Sequence, residues 1–158
     1  MNYGFVDDET IVKQAKKICD CIGHGKYGTA MQMIIETAVV ETGLGRIEDK
    51  TVGAGMGLTQ FDELPFKDIL KRNMKSRDKI LKELGVDISL VEWNDLRFNP
   101  FLGLLFARLF YWLKGDPIPK TIEERAAYWK LHYNTKLGKG TVEHYLEMNR
   151  KYGIKIEE

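Results

Sequence analysis

Two stretches of this chain are apolar on most sides of a helix. One runs from about Tyr27 to Glu41 and the other from Phe101 to Leu113. A helix without a broad polar face belongs in a protein interior. The most apolar run, Phe98 to Leu113, contains Asn99, Pro100 and Arg108 and is too short to cross a bilayer, so it reads as a buried core helix. No stable membrane insertion is expected. Helical periodicity extends over nearly all of the remaining sequence. Asp7 or Asp8 can cap a helix carrying Ile11, Val12, Ala15, Ile18, Cys19 and Ile22, with Gly23 and Gly25 as its stop. A charged amphipathic helix is expected over about Phe66 to Leu84, ended by Gly85. Asn99-Pro100 opens the Phe101–Leu113 helix, and Thr121 with Glu124 forms a capping box for a helix from Ile122 to about His132. A last helix spans Thr141 to Tyr152. Only short pieces near Thr51–Val52 and Leu58–Phe61 carry any strand signal, so the fold class is mainly α with at most a small β element.

A length of 158 residues suits one compact domain, taken here as residues 1–158. Lys plus Arg is 24 and Asp plus Glu is 23, a net charge of +1, which argues against a nucleic-acid partner working through counterion release. The two cysteines, Cys19 and Cys21, exclude a disulfide-stapled fold, and their i, i+2 spacing on a helix keeps them from bonding each other. With His24 they form only a faint metal pattern without a fourth ligand in reach, so neither a metal nor a cofactor is expected. The N-terminal residues show no basic or apolar signal region, and no secretory address is expected.

Chemistry is concentrated in Ile34-Ile35-Glu36-Thr37-Ala38-Val39-Val40-Glu41-Thr42-Gly43-Leu44-Gly45. Carboxylates in an apolar helix are costly unless paired or protonated. Glu36 and Glu41 are five residues apart, about 140° of helical rotation, so they do not face the same cleft. Glu36 reads as solvated or salt-bridged. Glu41 falls on the last turn, where apolar surroundings and the negative end of the helix dipole favour a protonated carboxyl suited to general-acid work; ending the helix on the surface is the alternative. The second stretch is Gly53-Ala54-Gly55-Met56-Gly57-Leu58-Thr59-Gln60-Phe61-Asp62. It lacks the Lys-Ser/Thr of a phosphate loop, and no strand precedes it as a dinucleotide fingerprint requires.

Together, Glu41-Thr42-Gly43 and Gly55-Met56-Gly57-Leu58-Thr59-Gln60 resemble the lysozyme-like superfamily, in particular the soluble lytic transglycosylases and goose-type lysozymes. Thr59 stands where the family usually has Met. Asn99-Pro100-Phe101-Leu102-Gly103 is similar to the family's Asn/Pro helix start. Ala126 to Asn134, then Gly138-Lys139-Gly140-Thr141-Val142 and Tyr145-Leu146, resembles its Ala-Tyr-Asn block, with His132 in place of Ala and Thr135-Lys136-Leu137 in place of Ala-Gly-Pro. The resemblance covers roughly residues 30–62 and 99–146; nothing in 66–96 matches.

The resemblance implies a lysozyme-like α-helical domain that cleaves the MurNAc–GlcNAc β-1,4 bond of peptidoglycan. Glu41 is then the catalytic acid, Gly57, Leu58, Thr59, Gln60, Tyr133 and Asn134 are cleft residues, and Tyr133 contacts the catalytic carboxyl. In a lytic transglycosylase one Glu protonates the leaving oxygen and then takes the proton from the muramyl C6 hydroxyl, which closes a 1,6-anhydro ring. The alternative is a hydrolytic, goose-type-like lysozyme in which Asp62 positions water; Glu48 and Asp49 are weaker candidates for that role. Asp62 also reads as a helix or turn cap before Leu64-Pro65. A different class, a non-catalytic wall-binding or structural module, stays open. Tyr128, Trp129, Tyr133 and Tyr145 read as core before they read as sugar platforms, and the Lys71–Lys82 charge run reads as a solvated helix face. A monomer acting on glycan strands is expected. Its setting would be a phage or prophage, as an endolysin held in the host cytoplasm before holin-type release or as a virion-associated enzyme.

Overall fold

A computed structural model of the protein describes residues 3–4, 7–47, 55–72, 74–135 and 138–156. It is mainly helical: α1 Asp8–Ile22, α2 Ala30–Thr42, α3 Glu63–Lys71, α4 Ser76–Leu84, α5 Pro100–Trp112, α6 Ile122–Trp129 and α7 Val142–Tyr152. Two 3-10 turns, Ile88–Leu90 and Trp93–Leu96, connect α4 to α5. Among the described residues the β content is one isolated antiparallel bridge between Met56 and Phe61. Thr51 and Val52 lie outside the described residues.

Most helix starts follow local chemistry. The side chains of Asp7, Asn99, Thr121 and Thr141 accept the amides of Thr10, Leu102, Glu124 and His144, so each satisfies a donor that the first helical turn leaves open. The two apolar helices form the centre. α2 packs against α1, α5 and α7, while α5 packs against α1, α2 and α3. One polar contact joins them inside the core: Thr37 Oγ1 lies 2.9 Å from the Tyr111 hydroxyl.

Three boundaries differ from the sequence reading. α2 begins at Ala30, not near Tyr27. The helix expected over Phe66–Leu84 is two helices, α3 and α4. Arg72 turns to extended backbone, Met74 is buried, and Arg77 Nη2 donates back to the carbonyls of Ile69 (3.0 Å) and Leu70, so a later side chain caps the end of α3. Finally, α6 stops at Trp129 and passes into a π turn over Lys130–Asn134. The Thr135 amide there reaches back five residues to the Lys130 carbonyl at 2.8 Å.

Candidate active site

The last turn of α2 ends abruptly. Gly43 adopts the left-handed conformation with φ 57°, and its amide returns to the carbonyls of Ala38 and Val39. Glu41 is therefore carried to the helix end, partly buried. Its neighbour Thr42 is fully buried and ties that end to the next segment: Thr42 Oγ1 donates to the Leu58 carbonyl (2.7 Å), lies 3.1 Å from the Ala38 carbonyl, and accepts the Gly45 amide (2.9 Å).

The chain then forms a tight turn closed by the Met56–Phe61 bridge, with reciprocal amide–carbonyl distances of 2.9 and 3.0 Å. Two glycines are required. A Cβ on Gly55 would sit 2.0 Å from the Gln60 carbonyl oxygen. A Cβ on Gly57, which has φ +75°, would sit 2.1 Å from the Leu96 carbonyl oxygen. Gln60 itself has φ 47°, a strained conformation for a residue with a side chain. Its Nε2 donates to the Gly57 carbonyl (2.9 Å), whereas its buried Oε1 has no partner.

The third contribution comes from α6 and the π turn. The Trp129 indole, almost fully buried, donates its N–H to Glu41 Oε2 at 3.0 Å. The Tyr133 hydroxyl donates to the Thr59 carbonyl at 2.6 Å. Burial, and next the nearby charge of Glu41, push the Tyr133 phenol well above its ordinary range, so it remains a donor. Lys130 Nζ donates to Asn134 Oδ1 (2.7 Å) and to the Gly138 carbonyl (3.0 Å), which pins the loop after the turn.

These pieces enclose a pocket of about 200 Å³ lined by Glu41, Gly55, Gln60, Asp62, Tyr133, Asn134 and Gly138. No family model, curated protein or solved structure matches this chain. Of the expected site residues the pocket brings together Glu41, Asp62, Gln60, Tyr133 and Asn134. Gly57, Leu58 and Thr59 do not line it. Leu58 and Thr59 are fully buried, and Thr59 Oγ1 donates to the Gly103 carbonyl at 3.0 Å, so these residues build the wall from behind. Tyr133 reaches that wall through its hydroxyl. The donor to Glu41 that the motif did not single out is Trp129. A buried indole N–H needs an acceptor, which is the one sequence signal that pointed towards such a role.

Asp62 is the N-cap residue of α3, but its carboxylate makes no capping bond. Although the residue is exposed, partial desolvation of its carboxyl at the pocket raises it above the ordinary aspartate range. Glu48 and Asp49 lie outside the described residues. Glu36 faces away from the pocket and is buried. It accepts Arg125 Nε and Nη2 at 2.8 Å each and the Tyr145 hydroxyl at 2.7 Å, a clamp joining α2 to α6 and α7. Tyr145 stacks on Trp129 with ring centroids 5.3 Å apart, so the clamp backs the residue that holds Glu41. Cys19 and Cys21 are free and buried, and His24 Nε2 lies 2.7 Å from Asp20 Oδ1.

Proposed function

We propose that the protein is a peptidoglycan glycosidase of the lysozyme-like type, with Glu41 as its general acid. The observation that carries this reading is the convergence of Glu41, Gln60, Tyr133 and Asn134, from three separated stretches, on one pocket. Glu41 is partly buried beside an indole donor, at a helix end that opens onto that pocket. Such a carboxyl can give a proton to the glycosidic oxygen as the C1–O bond breaks. It can then accept the proton of the muramyl C6 hydroxyl as that oxygen bonds to C1, which regenerates the acid and leaves a 1,6-anhydro end. Trp129 holds one carboxylate oxygen still.

A second reading has its own support. Asp62 lies in the same pocket and leaves its carboxylate unused by the helix it precedes, so it suits a base that positions water for hydrolysis. Mass analysis of digested, purified sacculi separates the routes, because the anhydro product is one water lighter. Glu41→Gln is expected to lower the rate at least about a hundredfold. Clearing that survives this substitution removes Glu41 from the mechanism. Glycan-strand binding without any cleavage by the unaltered protein identifies a non-catalytic module instead. No helix among the described residues is long and apolar enough to cross a membrane; the phage or prophage setting is part of this proposal.

A further inference from the structure

A second cavity, of about 350 Å³, lies between the loop after α1, the end of α5 and the Gly115–Ile118 segment. Its wall holds Lys26, Arg108 and Lys114, with Trp112 and Asp116. Arg108 is the unusual member. It is 3% exposed, its Nε donates to the Gly23 carbonyl at 3.0 Å, and it makes no ion pair with a carboxylate among the described residues. A buried charge is costly unless an opposite charge meets it.

The groups nearest Arg108 that could supply one do not. Burial pushes the Cys19 thiol up to about 12 and the Tyr128 phenol up to about 12, so both are neutral at physiological pH. The one carboxylate in the wall, Asp116, is largely exposed and lies 3.5 Å from His132 Nε2. Lys114 rests on the Phe110 ring, 4.2 Å from its centroid, and Lys26 lies 5.4 Å from the centroid of Tyr27. By residue, the wall thus carries three cations and one carboxylate, with the two lysine ammonium groups resting on rings beside the cavity.

We propose that this cavity binds a phosphate group carried on a larger body. An excess of about two positive charges matches a phosphate monoester, near −1.5 to −2 at neutral pH, better than a single carboxylate. Arg108, bonded through Nε to the Gly23 carbonyl and hydrogen-bonded to Cys19, supplies a buried positive charge, and Lys26 and Lys114 supply point charges on long stems that can leave their rings for a bound anion. The cavity is larger than a bare phosphate needs, and Trp112, 47% exposed, offers the attached body a flat face. The cavity is separate from the Glu41 pocket. Tyr111 lines the former, Tyr133 lines the latter, and the two rings stack with centroids 5.6 Å apart.

The test is an NMR titration of the full chain with inorganic phosphate, and in parallel with acetate, at constant ionic strength made up with chloride. Saturable shifts are expected at the amides of Gly25, Lys26, Lys114 and Gly115 and at the Trp112 indole, with phosphate at least about tenfold stronger than acetate. The surface variant Lys26→Ala/Lys114→Ala, which leaves the core intact, is expected to weaken phosphate at least about tenfold. Arg108→Met is expected to abolish saturation if it folds. Absence of saturation in the unaltered protein overturns the site. Acetate binding as tightly as phosphate overturns the ligand class, and an unchanged affinity in the double lysine variant overturns the assigned residues. None of these readouts depends on glycan cleavage.

Discussion

Replacing Arg125 with Met would unpair a charge in the interior. Arg125 and Glu36 each have about a tenth of their side chain exposed, and two parallel hydrogen bonds of 2.8 Å join them. Methionine leaves Glu36 with only the Tyr145 hydroxyl, and Arg125 also abandons the Pro119 and Lys120 carbonyls. Breaking a buried pair from one side costs about 3–5 kcal/mol, mostly because the remaining charge stays desolvated. At about 2–4 °C per kcal/mol for a chain of this size, Tm should fall by roughly 6–20 °C. Urea unfolding followed by circular dichroism gives the free energy directly. The double variant Arg125→Met/Glu36→Gln tests the cause, since it removes the stranded charge and should recover about 2 kcal/mol or more of the loss. A cost below about 1 kcal/mol in the single variant, or no recovery in the double, refutes the claim that the pair is shielded from water. Because the clamp supports Tyr145 and hence Trp129, the proposed glycosidase activity should fall in the single variant even at temperatures where it stays folded.

Trp129→Phe keeps most of the buried ring but removes the donor to Glu41, so the carboxylate form loses a hydrogen bond. The pH–activity profile should move to higher pH as the rate falls, whereas a purely structural role would lower the rate without moving the profile. Gly57→Ala should cost more than Gly28→Ala, because both glycines have positive φ (+75° and +72°) but only Gly57 has a backbone oxygen 2.1 Å from the added Cβ; the difference between their unfolding free energies isolates the clash, and equal costs refute it. Asp62→Asn tests proton linkage. The folded state holds the Asp62 proton more tightly than the unfolded chain, so its contribution is complete below about 3.8 and is lost as pH rises through the folded value. The variant's stability relative to the unaltered protein should therefore improve from pH 3 to pH 7, modestly because the residue is exposed, and a change of the opposite sign contradicts the desolvation at the pocket.

Local chemistry makes most of the helices legible in the sequence. Apolar periodicity marks α1, near-uniform apolar content marks α2 and α5, and single capping residues such as Asn99 and Thr141 mark where α5 and α7 begin. The break between α3 and α4 was not legible. It depends on Arg77 reaching back to carbonyls seven and eight residues earlier, an arrangement that no periodicity or propensity encodes. The π turn was hidden for a related reason. One extra residue per turn leaves no compositional trace, yet it sets where Tyr133 and Asn134 stand relative to Trp129.

The pocket shows the same division between what spacing encodes and what packing decides. The 140° between Glu36 and Glu41 already assigned them to different surroundings, and the structure gives one a buried arginine and the other a pocket. Spacing could not tell wall from lining in Gly57-Leu58-Thr59-Gln60. The alternation of an extended strand would have sent Leu58 and Gln60 to one face, but the segment is a turn, and Gln60 lines the pocket while Leu58 and Thr59 are buried behind it. Thr42 and Tyr133 then bind the carbonyls of Leu58 and Thr59, so two consecutive peptide groups of that wall are anchored, one to the helix that carries Glu41 and one to the π turn. A wall held by such buried bonds needs little rearrangement when charge develops beside it, and the proposed use of the single Glu41 carboxyl as acid and then base would draw on that rigidity.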